Sequence, residues 1–211
     1  MKTVELFSGT KSFSKVMAKY GHDTWTIDNE ESLLPDTCID IRKLSGDAVQ
    51  FMNVDIIWAS PPCQGFSVAV IGRNWNKDYT PKTDSARLSM ELAQHTIKII
   101  ENSKPKYWFI ENPRGMLRKM PFMEQFLKEQ NGVRYTISYC QYGDTRQKPT
   151  DIWTNAHFWT PRGMCKPKSK CHESAPRGSR TGTQGIKGAK NRGRIPDGLF
   201  EEILEHLDSH K

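Results

Sequence analysis

"VDIIWASPPCQGFS" (residues 54–67) is an apolar run that empties into two prolines, a cysteine and a glycine. A short apolar run bounded by turn formers reads as a strand covered on both faces. This reading makes Cys63 a residue at the mouth of a strand. Pro61 and Pro62 fix the backbone before it and Gly65 permits a sharp turn after it, while Phe66 is expected at the surface. The thiol reads in two ways. It is a small buried hydrophobe, or it is a nucleophile that needs a lowered pKa or a general-acid partner, because a free thiol titrates at about 8.5.

The flanking sequence repeats the pattern. "KTVELF" (2–7), "DTWTIDNE" (23–30), "DTCIDI" (36–41), "KYWFIENP" (106–113), "VRYTISYCQYG" (133–143) and "TDIWTN" (150–155) read as six more strands. "KSFSKVMAKYG" (11–21) has helical spacing, with Phe13, Val16, Met17 and Tyr20 on one face and Gly21 as a stop. A second helix is expected from an N-cap at Asp84 to about Asn102, with Leu88, Leu92, Ile99 and Ile100 inward. "PFMEQFLKEQNG" (121–132) reads as a third, closed by Gly132. Residues 64–83 are polar and read as a long functional loop.

Strands alternating with helices imply an α/β fold: a mostly parallel, Rossmann-like sheet with helices on both faces. Ligands of such sheets bind beyond the carboxyl ends of the strands. Phe7 to Thr10, Asp28, Asp40, Cys63 and Glu111 all fall at or just past those ends. Gly9 suits a tight turn and a close backbone approach to a ligand. Asp28 stands where a carboxylate binds ribose hydroxyls. Lys11 and Ser12 replace the later glycines of a G-x-G-x-x-G fingerprint, which favours a nucleoside over a pyrophosphate. Glu111, held in "IENP", can be partly desolvated and so protonated part of the time, as acid catalysis requires.

The bulk properties agree with this picture. The chain has 211 residues, 36% hydrophobic and 26% charged, enough for one soluble globular domain with a sizeable core. No apolar run approaches a membrane span, and Glu5 interrupts the apolar stretch near the start. Five scattered cysteines (38, 63, 140, 165, 171) argue against a disulfide framework and for a reducing, cytoplasmic setting. The net charge of +7 is uneven: from Arg162 to Arg194 there are ten basic residues and one acid, Glu173. Such a stretch attracts polyanions, nucleic acid first and a membrane surface second.

"ELFSG", "SPPCQGFS" and "ENPRG", in this order and with these gaps, resemble the DNA (cytosine-5) methyltransferases over roughly residues 2–155, with a resumption at "RIPDGLFEEI" (194–203). The resemblance implies a class I methyltransferase fold and S-adenosylmethionine as methyl donor. It places Phe7, Ser8, Gly9 and Thr10 along the methionine and adenosine side, Asp28 with Asn29 at the ribose, Asp40 with Ile41 at the adenine, and Pro62 beside the cofactor. It makes Cys63 the nucleophile that adds to C6 of a cytosine and Glu111 the group acting at N3, so that C5 takes the methyl group. This is covalent catalysis on a base flipped out of double-stranded DNA, in a restriction–modification or phage setting. In the family's Gln-x-Arg-x-Arg element, Lys148 takes the place of the first arginine and Thr150 that of the second, and Arg146 is the candidate for a shifted charge.

The resemblance further implies a catalytic domain over residues 1–160 and a C-terminal helix over 195–211 that returns to it. Between them a Gly- and Ser-containing basic segment, 161–194, stands where family members carry a target-recognition domain. Such an arm is expected to contact phosphates without reading bases, or to depend on a protein partner that reads the sequence. No metal site is expected: C-x5-C-H at Cys165, Cys171 and His172 is not a standard zinc pattern, even with His157 or Cys140 as a fourth ligand. Zinc there remains the alternative to ordinary loop residues. The rival functions are an RNA (tRNA-type) cytosine-5 methyltransferase and a non-catalytic nucleic-acid-binding protein on the same scaffold.

Overall fold

The computed structural model describes residues 1–45, 48–49, 53–166, 169–173 and 188–210. Seven strands form: β1 (Lys2–Leu6), β2 (Asp23–Asp28), β3 (Thr37–Cys38), β4 (Ile56–Ala59), β5 (Tyr107–Pro113), β6 (Val133–Ser138) and β7 (Pro149–Thr154). They make one sheet in the order β3-β2-β1-β4-β5-β7-β6. β1 pairs in parallel with β2 and β4, and β4 with β5, while β7 runs antiparallel to both β5 and β6. The reversal follows from the short link between β6 and β7, the 3-10 turn Tyr139–Tyr142 and the residues after it; a parallel return would need a crossover of a dozen or more residues.

The helices are α1 (Ser12–Lys19), α2 (Ile71–Asn74), α3 (Asp84–Ser103), α4 (Pro121–Glu129), α5 (Ala189–Gly193) and α6 (Asp197–Asp208). They cover both faces, as strand periodicity dictates. Val4, Leu6, Ile57, Ala59 and Ile110 point to one side, where Ala93, Ile97 and Ile100 of α3 and Phe126 of α4 meet them. Ile56, Trp58, Phe109 and Ile152 point to the other, against Phe13 and Met17 of α1 and Phe200, Ile203 and Leu204 of α6. The last helix is therefore part of the core, with Phe200 edge-on to both Phe13 and Trp58.

Several local expectations are corrected. Thr83, not Asp84, caps α3, its side chain accepting from the Ala86 amide. The buried stripe of α3 runs through Ala86, Ser89, Ala93, Ile97 and Ile100, which leaves Leu88 exposed. Small residues fill that stripe because the loop after Cys63 lies against it: a Cβ at Gly65 would meet Ser89 Oγ at 2.5 Å. Tyr20 ends α1 and is half exposed rather than inward. β3 stops at Cys38 because Asp40 turns the chain, its carboxylate accepting the Arg42 amide at 2.9 Å. The stretch 64–83 is not an open loop. It contains a 3-10 turn (Val68–Val70), α2 and a buried Trp75.

Candidate active site

A shallow cleft opens at the carboxyl ends of β1, β2 and β4. Phe7, Asp28, Asn29, Asp40, Ile41 and Pro62 line it, as do Ile27, Ile39 and Leu92. Ser8, Gly9 and Thr10 form the turn after Phe7 and do not line the cleft itself. Phe7 (φ 57) and Gly9 (φ 47) are both left-handed. The strain at a bulky residue, of order 1–3 kcal/mol, is of the kind that collects at ligand sites. Asp28 holds the turn: its Oδ2 accepts the Gly9 amide at 2.9 Å and its Oδ1 the Glu30 amide at 3.0 Å. Each oxygen keeps a second lone pair for a ligand hydroxyl. Asp40 is gripped by the Arg42 guanidinium, which holds its carboxyl down at about 2. Apolar walls at Ile41, Pro62 and Leu92 with the Asp28 and Asp40 carboxylates in the lining are the chemistry a nucleoside needs. Ser8 is buried with an Oγ that has no hydrogen-bond partner among the described residues, a polar atom suited to a ligand at this strand end.

The other half of the site is built where β4 and β5 end side by side, Ala59 opposite Ile110. Asn112 Nδ2 donates to the Pro61 carbonyl at 2.8 Å and so couples the strand end carrying Glu111 to the backbone two residues before Cys63. The thiol's own turn is pinned on both sides. The Phe66 and Ser67 amides donate to the Cys63 carbonyl, each at 3.0 Å, and Trp75 Nε1 donates to the Gly65 carbonyl at 2.8 Å. Phe66 is fully buried and stacked on Trp75 at 5.5 Å, contrary to the surface position its polar neighbours suggest. The Met116 amide completes the lock, donating to the Phe66 carbonyl at 2.8 Å.

Glu111 is buried, and its Oε1 accepts from the Tyr139 hydroxyl at 2.7 Å. Burial, then the neighbouring carboxylate, push that hydroxyl well above the ordinary phenol range, so Tyr139 stays a donor. Lys148 Nζ lies 4.5 Å from the Tyr139 ring centroid and donates to the Arg192 carbonyl at 3.2 Å. Burial lowers the pKa of Lys148, and its backbone is held at φ 28, a second strained non-glycine residue beside the site. Burial and then the Glu111 charge push the Cys63 thiol up, while Lys148 and Arg192 oppose them. The thiol, the carboxyl and the cation therefore lie close enough for each charge to act on the others.

A family model of C-5 cytosine-specific DNA methylases matches residues 1–141. The chain belongs to that family. A probable DNA (cytosine-5)-methyltransferase of Frog virus 3 is 29% identical over 97% of this chain and 99% of its own length. The type II methyltransferase M.XorII of Xanthomonas oryzae is 31% identical over 47% of this chain and 20% of its own. Among solved structures, the Entamoeba histolytica methyltransferase EhMeth superposes with a TM-score of 0.59 at 14% identity, covering 80% of this chain and 57% of that one. The methylase thus has its family's sheet, in a chain that spans little more than half of that solved relative and nearly all of the viral one.

Around the methylase site the remaining candidates divide. Arg146 is almost wholly buried, and its guanidinium is engaged by Asp144 and by the carbonyls of Asn191, Arg192 and Arg194. It faces the returning chain as a clamp, and Lys148 is the cation nearer the thiol and carboxyl. Thr150 is buried in β7 and donates to the Lys148 carbonyl at 3.0 Å. Nearly half of the basic stretch, residues 167–168 and 174–187, lies outside the described residues; its flanks do not. Glu202 of α6 accepts from Tyr142, Trp159 and Arg162, fixing the chain before it. Sequence reasoning missed Tyr139, Asn112 and Arg192. Asn112 was within reach as the neighbour of Glu111 in "ENP", whereas nothing local marks Tyr139, which reaches Glu111 from 28 positions away.

Proposed function

We propose that this chain methylates C5 of cytosine in DNA, with Cys63 as nucleophile and Glu111 as the proton-carrying group. The observation that carries the reading is the half-buried Cys63 on the strand end beside β5, where the buried Glu111 accepts from Tyr139 and Lys148 lies over the Tyr139 ring, next to a cleft lined by Asp28, Asp40 and apolar side chains. S-adenosylmethionine, when bound, supplies an electrophilic methyl carbon. Phe7, Asp28, Asn29, Asp40, Ile41 and Pro62 would hold it, and the Ser8–Thr10 turn would shape the edge of its site.

The cytosine must leave the duplex, because C5 and C6 are enclosed by stacking. Glu111, steadied by Tyr139, delivers a proton to N3 and draws electron density from C6. Sulfur of Cys63 then forms its bond to C6, and the electron pair released within the ring makes C5 nucleophilic. The Cys63 thiol gives its proton to solvent before that bond forms, and Lys148 stabilises the resulting thiolate. After C5 is methylated, its proton passes to water, the C–H electrons re-form the C5=C6 bond as the C6–S bond breaks and sulfur leaves as thiolate, and the N3 proton returns to Glu111.

The basic segment 161–194 takes the place of a recognition domain and contacts phosphates, so the isolated protein binds duplex DNA with a steep salt dependence. A short arm presents few side chains rigidly, which limits direct readout to a context of one to three bases unless a protein partner reads more. Among the described residues no helix is long and apolar enough to cross a membrane.

The decisive experiment combines labelled-methyl transfer to duplex DNA and to RNA with trapping on DNA that contains 5-fluorocytosine. The expected result is transfer to DNA and a covalent complex that requires Cys63. Transfer to RNA alone, or binding with neither transfer nor trapping, overturns the reading. Bisulfite mapping after expression in a cell without cytosine methylation tests the arm. Complete methylation of a single site of four or more defined base pairs would show it to be a true reader.

A further inference from the structure

Four side chains that the reaction does not use converge on one point. Cys140 lies in the 3-10 turn after β6, and Cys165, Cys171 and His172 lie in the chain that follows β7. Their ligand atoms all lie within 4.8 Å of one another. Cys140 Sγ is 3.3 Å from Cys165 Sγ and 3.6 Å from Cys171 Sγ. His172 Nδ1 is 3.5 Å from Cys165 Sγ and 3.6 Å from Cys171 Sγ. A tetrahedral zinc with bonds of about 2.3 Å to sulfur and about 2.0 Å to nitrogen sets S···S at ~3.8 Å and S···N at ~3.5 Å. His157, the other candidate fourth ligand, turns away and bonds the Asn131 carbonyl at 2.6 Å.

We infer that Cys140, Cys165, Cys171 and His172 bind one zinc ion as a closed structural site. The C-x5-C-H spacing concealed it because the first ligand comes from a different part of the sheet, 25 residues before Cys165. The surroundings fit thiolates. Gln147 Nε2 lies 3.4 Å from Cys165 Sγ and Gln141 Nε2 3.6 Å from Cys171 Sγ, both N–H donors of the kind that steady metal-bound sulfur. All four ligand positions are filled by protein, so the site has no open coordination position and is structural rather than catalytic. Binding releases the three thiol protons.

The site also has a clear mechanical role. Tyr139, the partner of Glu111, is the residue immediately before Cys140. The Glu173 amide donates to the Thr145 carbonyl at 2.8 Å, and on the far side of the basic stretch Arg146 holds the carbonyls of residues 191, 192 and 194. The chain therefore leaves and re-enters at the same corner, Tyr139–Arg146. The metal fixes the departing end there, beside the catalytic carboxyl, without the apolar core that so short a segment cannot build.

The test is metal content, read without any methyl acceptor and so independent of the reaction. Full-length protein, expressed in zinc-supplemented medium and purified under reducing conditions, should carry one zinc per chain by mass spectrometry. Cobalt substitution should give the intense visible bands and thiolate charge transfer of a tetrahedral Co2+ site. Cys165→Ser and Cys140→Ser should each lose most of the metal, whereas Cys38→Ser should keep it. Should a serine variant fail to fold, Cys171→His, which retains a fourth ligand, should hold cobalt with weaker charge transfer. Metal-free protein under these conditions, an octahedral cobalt spectrum, or undiminished zinc in Cys165→Ser would each overturn the assignment. A Cys140–Cys165 disulfide found in protein handled under reducing conditions would do the same.

Discussion

The two halves of the cleft are made differently. On the β1–β2 side, Asp28 and Asp40 sit near solvent as carboxylates and are oriented by backbone amides and by Arg42. On the β4–β5 side, Cys63, Glu111, Tyr139 and Lys148 are crowded together, and burial dominates every shift among them. The first half can bind with little reorganisation, because its two side chains are already held in place by backbone amides and by Arg42. The second stores electrostatic conflict that an incoming base resolves. A half built for affinity and a half built for reactivity should therefore respond separately to substitution.

The largest effect should come from Cys63→Ala. Methyl transfer and trapping on 5-fluorocytosine DNA should both vanish while calorimetric affinity for S-adenosylmethionine stays within about twofold; residual turnover above a few per cent would remove the covalent step. Glu111→Gln comes next, with kcat down by about 10² to 10⁴, the range for loss of a general acid. A loss under tenfold would mean that N3 receives its proton elsewhere. Lys148→Met should be milder and should show in the pH profile. Removing the cation that opposes burial and Glu111 raises the Cys63 thiol further. The rate at pH 7.5 should fall about tenfold for each unit of rise and recover at higher pH, with Lys148→Arg restoring most of it. A profile of unchanged shape would make Lys148 a packing residue.

Asp28→Ala probes the opposite half. Loss of charge-assisted bonds worth about 1.5–3 kcal/mol should weaken cofactor binding by roughly 10-fold to 100-fold, while Cys63 trapping at saturating cofactor is retained. Equal damage to trapping would mean that the halves are not separable, since Asp28 also holds the Gly9 turn.

How much of this was legible follows the same division. The strands themselves, both helical layers and the strand-end residues could be read because apolar periodicity and turn formers are local signals, whereas the order of the strands in the sheet and the reversal of β7 are set by tertiary pairing. Six residues expected at the cofactor line one cleft. The reactive half was legible at Cys63 and Glu111, and at Lys148 only through the family's Gln-x-Arg-x-Arg element. Tyr139, Arg192 and the Cys140 cluster act across 25 or more positions of chain, and no periodicity encodes such meetings. Phe66 was misplaced for a related reason: its burial depends on Trp75, nine residues on, folding back over it.

Glu5 is the sharpest instance of a residue whose meaning is tertiary, and it gives the smallest expected effect on catalysis. Helix α1 begins after Lys11, a left-handed residue that offers no side-chain cap. Its orphan amides are met instead from β1: Glu5 Oε2 accepts from Ser14 at 2.9 Å and Oε1 from Phe13 at 3.3 Å. Burial nevertheless outweighs those bonds and raises the carboxyl from an ordinary 4.5 to about 7. A carboxyl whose folded pKa is raised favours folding while it is protonated. Its contribution is full below about pH 4 and is lost as pH rises through 7, a change on the order of 3 kcal/mol. Wild-type protein should therefore lose stability between pH 5 and pH 8 in denaturant titrations, and Glu5→Gln should flatten that slope with turnover near pH 7 unchanged. The opposite result, a variant matched at pH 5 but much weaker than wild type at pH 8, would show that the helix amides overcome burial and keep Glu5 ionised. The polar support of the binding half would then be charged throughout, and only the reactive half would carry unresolved electrostatic conflict.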